Sequence, residues 1–197
     1  MITVGVDAGD VERRLAAGEL VCPECGGVLA PWGWARSRGL RGAEGVRIDV
    51  RPRRSRCSGC GMSHVLLPVS GLLRRADVVE VIGAALEWKA AGAGHRRIAD
   101  WLGRPVTTVR GWLRRFTERA GRIAAVFTGQ LVAFADDPSR VLPEPAGSPF
   151  ADALAAVIAA VMAVRGRLPV VTAPLWQVTA AVSEGLLLAP DWPRPTG

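Results

Sequence analysis

Apolar and polar positions change rhythm along the chain. Val46, Ile48 and Val50 alternate with Arg47, Asp49 and Arg51, the period of a half-buried strand. HVLLPV, residues 64–69, reads as a returning strand, and residues 34–45, WARSRGLRGAEG, as the extended tip of a hairpin. From residue 75 the period lengthens to that of a helix. In RADVVEVIGAALEWKAAGAG, Asp77 and Glu80 have capping-box spacing, and Val78, Val81, Ile82, Ala85 and Leu86 form an apolar stripe that Gly92 and Gly94 end. In HRRIADWLGRPVTTVRGWLRRF, residues 95–116, Ile98, Ala99 and Leu102 share a face and Gly103 breaks the helix. Val109, Trp112, Leu113 and Phe116 then make the next stripe.

Phe116, Ala120, Ile123, Phe127, Leu131 and Phe134 keep the helical period, so this helix is expected to run on to about Ala135. A proline-rich loop, DDPSRVLPEPAGSP, follows. Residues 150–164, FADALAAVIAAVMAV, are apolar nearly all round, which predicts a buried helix. At about 22 Å it is short of a ~30 Å hydrocarbon core, so no membrane partner is expected. TAPLWQVTAAVSEG reads as a last helix, with Thr172 near its cap and Trp176 in the core. The predicted class is α+β: a small N-terminal β ribbon, then helices to the end.

Charge adds a location. The net charge is +7, and residues 22–75 alone hold ten basic side chains against three acidic ones. Arginine supplies all the basic groups but Lys89, which suits a surface to bidentate phosphate contacts. The N-terminal residues lack the features of a signal peptide, and the chain is expected to be cytoplasmic.

All four cysteines fall in two pairs, Cys22-Pro-Glu-Cys25 and Cys57-Ser-Gly-Cys60. Two residues between thiolates let a tight turn aim both sulfurs at one ion, and Gly26 and Gly61 supply the open backbone that follows. Redox dithiols would call for a βαβ setting, which is absent. The pairs therefore predict one structural Zn2+ held by Cys22, Cys25, Cys57 and Cys60. His64 could stand in for a cysteine, but four thiolates already close the site. Beside the second pair stand Arg47, Arg51, Arg53, Arg54 and Arg56, expected on the last strand of the ribbon, with Arg47, Arg51 and Arg53 on one phosphate-binding face.

The helical segment resembles a helix-turn-helix. Ala99 is the small residue four before the turn glycine, Gly103, and Ile98, Leu102, Val109 and Trp112 match the packing positions. Arg104 stands where the family has an apolar residue, Pro105 replaces the usual Ser or Thr cap, and Gly111 weakens the second helix by about 1 kcal/mol relative to alanine. The exposed face offers Thr107, Thr108, Arg110, Arg114 and Arg115, with Arg96 and Arg97 on the preceding helix. In order, the CPxCG knuckle, arginine-rich strand, CxxCG and helix-turn-helix resemble the N-terminal part of bacterial transposase-like zinc-ribbon proteins over roughly residues 11–117. That resemblance implies DNA recognition with ribbon and helical module acting together.

The expected organisation is an N-terminal helix or arm over 1–20, a zinc ribbon over 21–70, the helix-turn-helix over 76–118, and a helical region over 119–190 that forms core or a homodimer interface. The acids after residue 120 lack the strand–helix setting that a two-metal nuclease needs. No catalysis and no small-molecule substrate are expected. A zinc-stabilised DNA-binding protein, transposase-derived or mobile-element-associated, is the leading expectation. An RNA-associated ribbon protein and a protein-interaction adaptor are the alternatives.

Overall fold

The computed structural model describes residues 1–193, and the chain is α+β. β1 (Ile2–Val4) and α1 (Ala8–Ala16) come first. Asp7 caps α1 by accepting from the Asp10 amide, and Val11 and Leu15, one turn apart, are its buried side chains. β2 (Leu29–Trp34), β5 (Arg53–Cys57) and β6 (Ser63–Pro68) pair antiparallel, and β1 lies parallel to β6, giving the order β1-β6-β5-β2. Residues 1–20 thus close the ribbon's sheet and core. That core gathers Val4, Val11, Leu15, Leu20, Leu29 and Leu66 around Cys22 and Cys57.

Residues 34–45 are not simply a hairpin tip. β3 (Arg38–Arg41) pairs antiparallel with β4 (Arg47–Val50), so the ribbon's central hairpin continues past a bend as a second, two-stranded sheet. The bend is pinned by the Ala35 amide donating to the Pro52 carbonyl, and the tip proper is residues 42–46. The expected half-buried face on β4 is only partly formed: Val50 is half-buried against the helical core, while Val46, just before the strand, and Ile48 are 57% and 43% exposed. The arginines divide accordingly. Arg47 lies on β4, Arg51 in the bend, and Arg53, Arg54 and Arg56 on β5, an interior strand rather than the ribbon's last.

The helices are α2 (Val79–Ala90), α3 (His95–Leu102), α4 (Val106–Thr117), α5 (Ala120–Phe134), the short α6 (Pro138–Val141), α7 (Pro149–Arg167) and α8 (Leu175–Val182). Three expectations differ from the fold. Asp77 makes no capping box, since Val78 is the N-cap of α2 and the Asp77 carboxylate is used elsewhere. The recognition helix does not run to Ala135: it stops at Thr117, and α5 restarts at Ala120 after Arg119 leaves helical geometry. The apolar period survives that break, since Phe116, Ala120, Ile123, Phe127 and Leu131 are all buried. The N-cap position of α8 is Pro174, two residues after Thr172, and no side chain caps the helix there. α7 starts earlier and ends later than residues 150–164, with Ser148 accepting from the Ala151 amide and Pro149 in the first turn.

At 19 residues α7 is long and apolar enough to cross a membrane, so length does not argue against it. In the fold it buries Phe150, Leu154, Val157, Val161 and Val164, packing mainly along α5. The helical core runs continuously from α2, α3 and α4 through α5, α7 and α8, and includes Leu40 of β3. Trp176 is buried as expected, with its Nε1–H donating to Glu87 at 2.7 Å. It lies over Gly83 of α2 so closely that any Cβ there would fall inside the indole ring.

Candidate metal centre and nucleic-acid interface

The four cysteine sulfurs converge from two matching turns. In the first, the Gly26 amide donates to the Cys22 carbonyl and the Cys22 amide to that of Gly27. In the second, the Gly61 amide donates to the Cys57 carbonyl and the Cys57 amide to that of Met62. Gly26 and Gly61 take φ of 71° and 73°, the left-handed geometry the spacing implied. A Cβ on Gly27 would stand 2.9 Å from Cys57 Sγ, so that position must also stay bare. All four sulfurs lie within 4.8 Å of one another, with Cys25–Cys57 at 3.4 Å and Cys22–Cys60 at 3.8 Å. The set is able to hold a metal ion.

Electrostatics points the same way. The Cys60 amide, with smaller help from Cys25 and the Gly59 amide, outweighs burial and draws the Cys57 thiol down to about 6. At Cys60 the Met62 amide favours the thiolate, yet Cys25, burial, Cys57 and Cys22 together push it up to about 12. Four thiolates so close repel one another, and a cation in their midst removes the conflict. His64 is buried behind the site with Nε2 3.4 Å from Cys22 Sγ, outside the cluster of four.

Of Arg47, Arg51 and Arg53, expected on one face, Arg51 and Arg53 converge on Trp34 while Arg47 is engaged farther along the hairpin. Arg53 is turned inward: it pairs with Glu12 at 2.7 Å, donates to the Gly33 carbonyl and covers the Trp34 ring, as does Arg51 at 5.6 Å. Arg47 pairs with Asp49 at 3.1 Å. Arg54 reaches Ser63, and Arg56 donates to the Gly61 carbonyl and covers exposed Trp32 at 4.8 Å. Trp32 and Trp34 were not singled out from sequence. Their position on an edge strand opposite arginines was the available signal. Inside the hairpin's bend a cleft of about 770 Å³ opens among Val6, Trp34, Val46, Ile48 and the start of α2.

α2, α3 and α4 form the helical module. Gly103 caps α3 at φ 59°, with its own amide donating to Asp100 and that of Arg104 to Ala99. Ile98, Ala99, Val109 and Trp112 are buried where the two helices meet. Thr107, Arg110 and Arg114 are exposed on α4, Thr108 is half-buried, and Arg115 folds back to donate to the Gly111 carbonyl. Arg96 and Arg97 are exposed on α3, Arg97 lying over Trp101 at 4.5 Å.

Arg104, out of place by pattern, is a clamp. Its Nε lies 2.6 Å from Asp77 Oδ1, both side chains being almost fully buried. Its Nη2 donates to the carbonyl of Gly42 at the hairpin tip, and Nη1 to that of Leu102. Arg41 of β3 holds the other Asp77 oxygen at 2.9 Å, and the Arg41 backbone bonds to Ala76 and Val78. The hairpin that begins at the cysteine centre therefore ends locked onto the turn of the helical module.

Residues 74–126 match the family model of a homeodomain-like domain, a span from just before α2 to the middle of α5. No curated protein and no solved structure matches the chain.

Proposed function

We propose that the chain is a non-enzymatic DNA-binding protein in which a zinc-stabilised ribbon and a helix-turn-helix act as one body. The observation that carries this is the module of α2, α3 and α4, which matches a homeodomain-like domain and leaves Thr107, Arg110 and Arg114 exposed on its second turn-flanking helix. Such a helix enters the major groove, where arginine pairs bidentately with guanine and threonine contacts base edges. Homeodomain-like helix-turn-helix modules occur in transposases, which favours a transposase-derived or mobile-element origin. The metal proposed is zinc: a tetrahedron with sulfurs about 2.3 Å from its centre has edges of about 3.8 Å, and the four sulfurs, two pairs of them at 3.4 and 3.8 Å and all within 4.8 Å, can close to that size around an ion. Four thiolates leave no open position for catalysis, so the ion shapes the ribbon. Arg54 and Arg56, on the ribbon near the second knuckle, are the phosphate contacts, while Arg53 serves Glu12. The protein acts in the cytoplasm on the nucleoid, and α7 is a core helix.

Two observations keep other partners in view. Trp32, exposed beneath Arg56, favours stacking on unpaired bases, as in an RNA-associated ribbon. The apolar cleft favours an adaptor. Incubating the metal-loaded chain with sheared genomic DNA, with single-stranded RNA as competitor, and sequencing the retained fragments separates them. Enrichment of one duplex motif that RNA does not displace is expected. Displacement by RNA, or no retention, would reject the proposal.

A further inference from the structure

Arg74 and Arg75 stand just before α2, Arg115 lies in the last turn of α4 and Arg119 just before α5, and the charges of Arg74, Arg115 and Arg119 all act on Arg75. We propose that Arg74, Arg75, Arg115 and Arg119 form a phosphate-binding cluster that grips the nucleic-acid backbone beside the recognition helix. Each of the three half-buried members is held by a carbonyl rather than an acid. Arg75 donates to Leu188, Arg115 to Gly111 and Arg119 to Arg115, at 3.0, 2.9 and 2.9 Å. Among the described residues none of the four makes an ion pair, and the nearby Glu118 pairs instead with Arg114. The Nε groups of Arg75 and Arg119 are buried with no hydrogen-bond partner. Burial, then the charges of Arg115, Arg119 and Arg74, hold the Arg75 pKa below the usual guanidinium range. The charges therefore press on one another, and among the described residues no carboxylate pairs with them. A dianionic or diester phosphate supplies what is missing, and a guanidinium fork matches its oxygens.

Two backbone features fit the same purpose. Arg74 sits at φ 58°, a left-handed conformation that glycine would adopt with less strain, and strain of this kind is often kept where a side chain is needed. Gly111 leaves room for Arg115 to fold back, since a Cβ there would stand 2.9 Å from Arg115 Nη1. The helix-weakening glycine in α4 thus has a role in placing one of the four cations.

That the phosphate belongs to DNA rests on the function proposed above; that the cluster takes phosphate does not. The test uses the full metal-loaded chain, the variants Arg74→Gly and Arg74→Gly/Arg119→Gln, a short duplex and inorganic pyrophosphate. Arg74→Gly relieves the left-handed residue, so it should melt no lower than the parent and provides a folded variant. We expect the double variant to lose roughly three- to tenfold in duplex affinity, equally on specific and random sequence, with the log–log salt slope shallower by about 0.9 for each phosphate no longer neutralised. Unchanged duplex binding, with pyrophosphate binding lost in the double variant, would support the cluster and assign it to a free phosphate anion. Duplex and pyrophosphate binding both unchanged in a folded double variant would overturn the cluster and leave DNA recognition by α4 standing. A parent that ignores duplex but loses pyrophosphate on substitution would overturn the DNA reading and keep the cluster.

Discussion

The ribbon and the helical body are held together by different means. Among the described residues the ribbon's own core has eight buried members, two of them cysteines, around a three-residue strand and one short helix. The helical body has a single continuous apolar core, with Phe116, Ile123, Phe127 and Leu131 fully buried among α4, α5 and α7. On the proposed reading, a unit as small as the ribbon buries too little surface to offset its chain entropy and would depend on a metal at the four cysteines. The helical body meets that requirement with packing alone. The clamp of Arg104, Asp77 and Gly42 would then join a part whose stability is conditional to a part whose stability is not.

Removing the metal should show the contrast at its largest. Structural zinc contributes on the order of 10 kcal/mol to small zinc domains. Cys57→Ser should therefore unfold the ribbon while far-UV circular dichroism retains the signal of α2 to α8. Loss of both together in one cooperative step would mean that the helical body also depends on the metal.

Breaking the joint should cost less. Arg104→Met leaves Asp77 buried with only Arg41 beside it, and removal of one partner of such a pair typically costs about 3–5 kcal/mol. Asp77→Leu with Arg104→Met should recover much of that loss in urea unfolding. A single-variant cost under about 1 kcal/mol would show that the clamp is not what fixes the hairpin.

Sharper still is the difference between the two basic regions. Arg110→Ala should cost about 1–3 kcal/mol on the best DNA site and much less on random duplex, measured by fluorescence anisotropy. Equal losses would mean that α4 only grips the backbone. Arg53→Ala should have the smallest effect, a stability loss of up to about 1 kcal/mol through Glu12, with the salt slope of DNA binding unchanged. A shallower slope would return Arg53 to the phosphate-binding face.

What could be read from sequence was local. The cysteine spacing and the glycine after each pair announced the knuckles, because a tight turn has few solutions. Ala99 and Gly103 announced the helix-turn-helix for the same reason. Long-range pairings stayed hidden. Asp77 has the spacing of a helix cap, and nothing local reveals that its partner lies 27 residues on. Of the face expected for Arg47, Arg51 and Arg53, only the last two meet, over Trp34, because Arg47 lies on β4 beyond the bend at Pro52. The break between α4 and α5 was invisible because the buried residues on either side keep one period. β1 was missed because three residues are too few to show a rhythm.

The central claim is that the ribbon and the helix-turn-helix grip duplex DNA as one metal-dependent body. Its most direct test is the affinity of the full chain for a duplex between about 50 and 200 mM salt, with the metal bound and after chelation. With metal, log affinity should fall linearly with log salt, at a slope near −0.9 for each phosphate neutralised. After chelation, affinity should drop and the slope should become shallower as the unfolded ribbon releases its phosphates. Binding that ignores salt, or affinity and slope unchanged by chelation, would contradict the account.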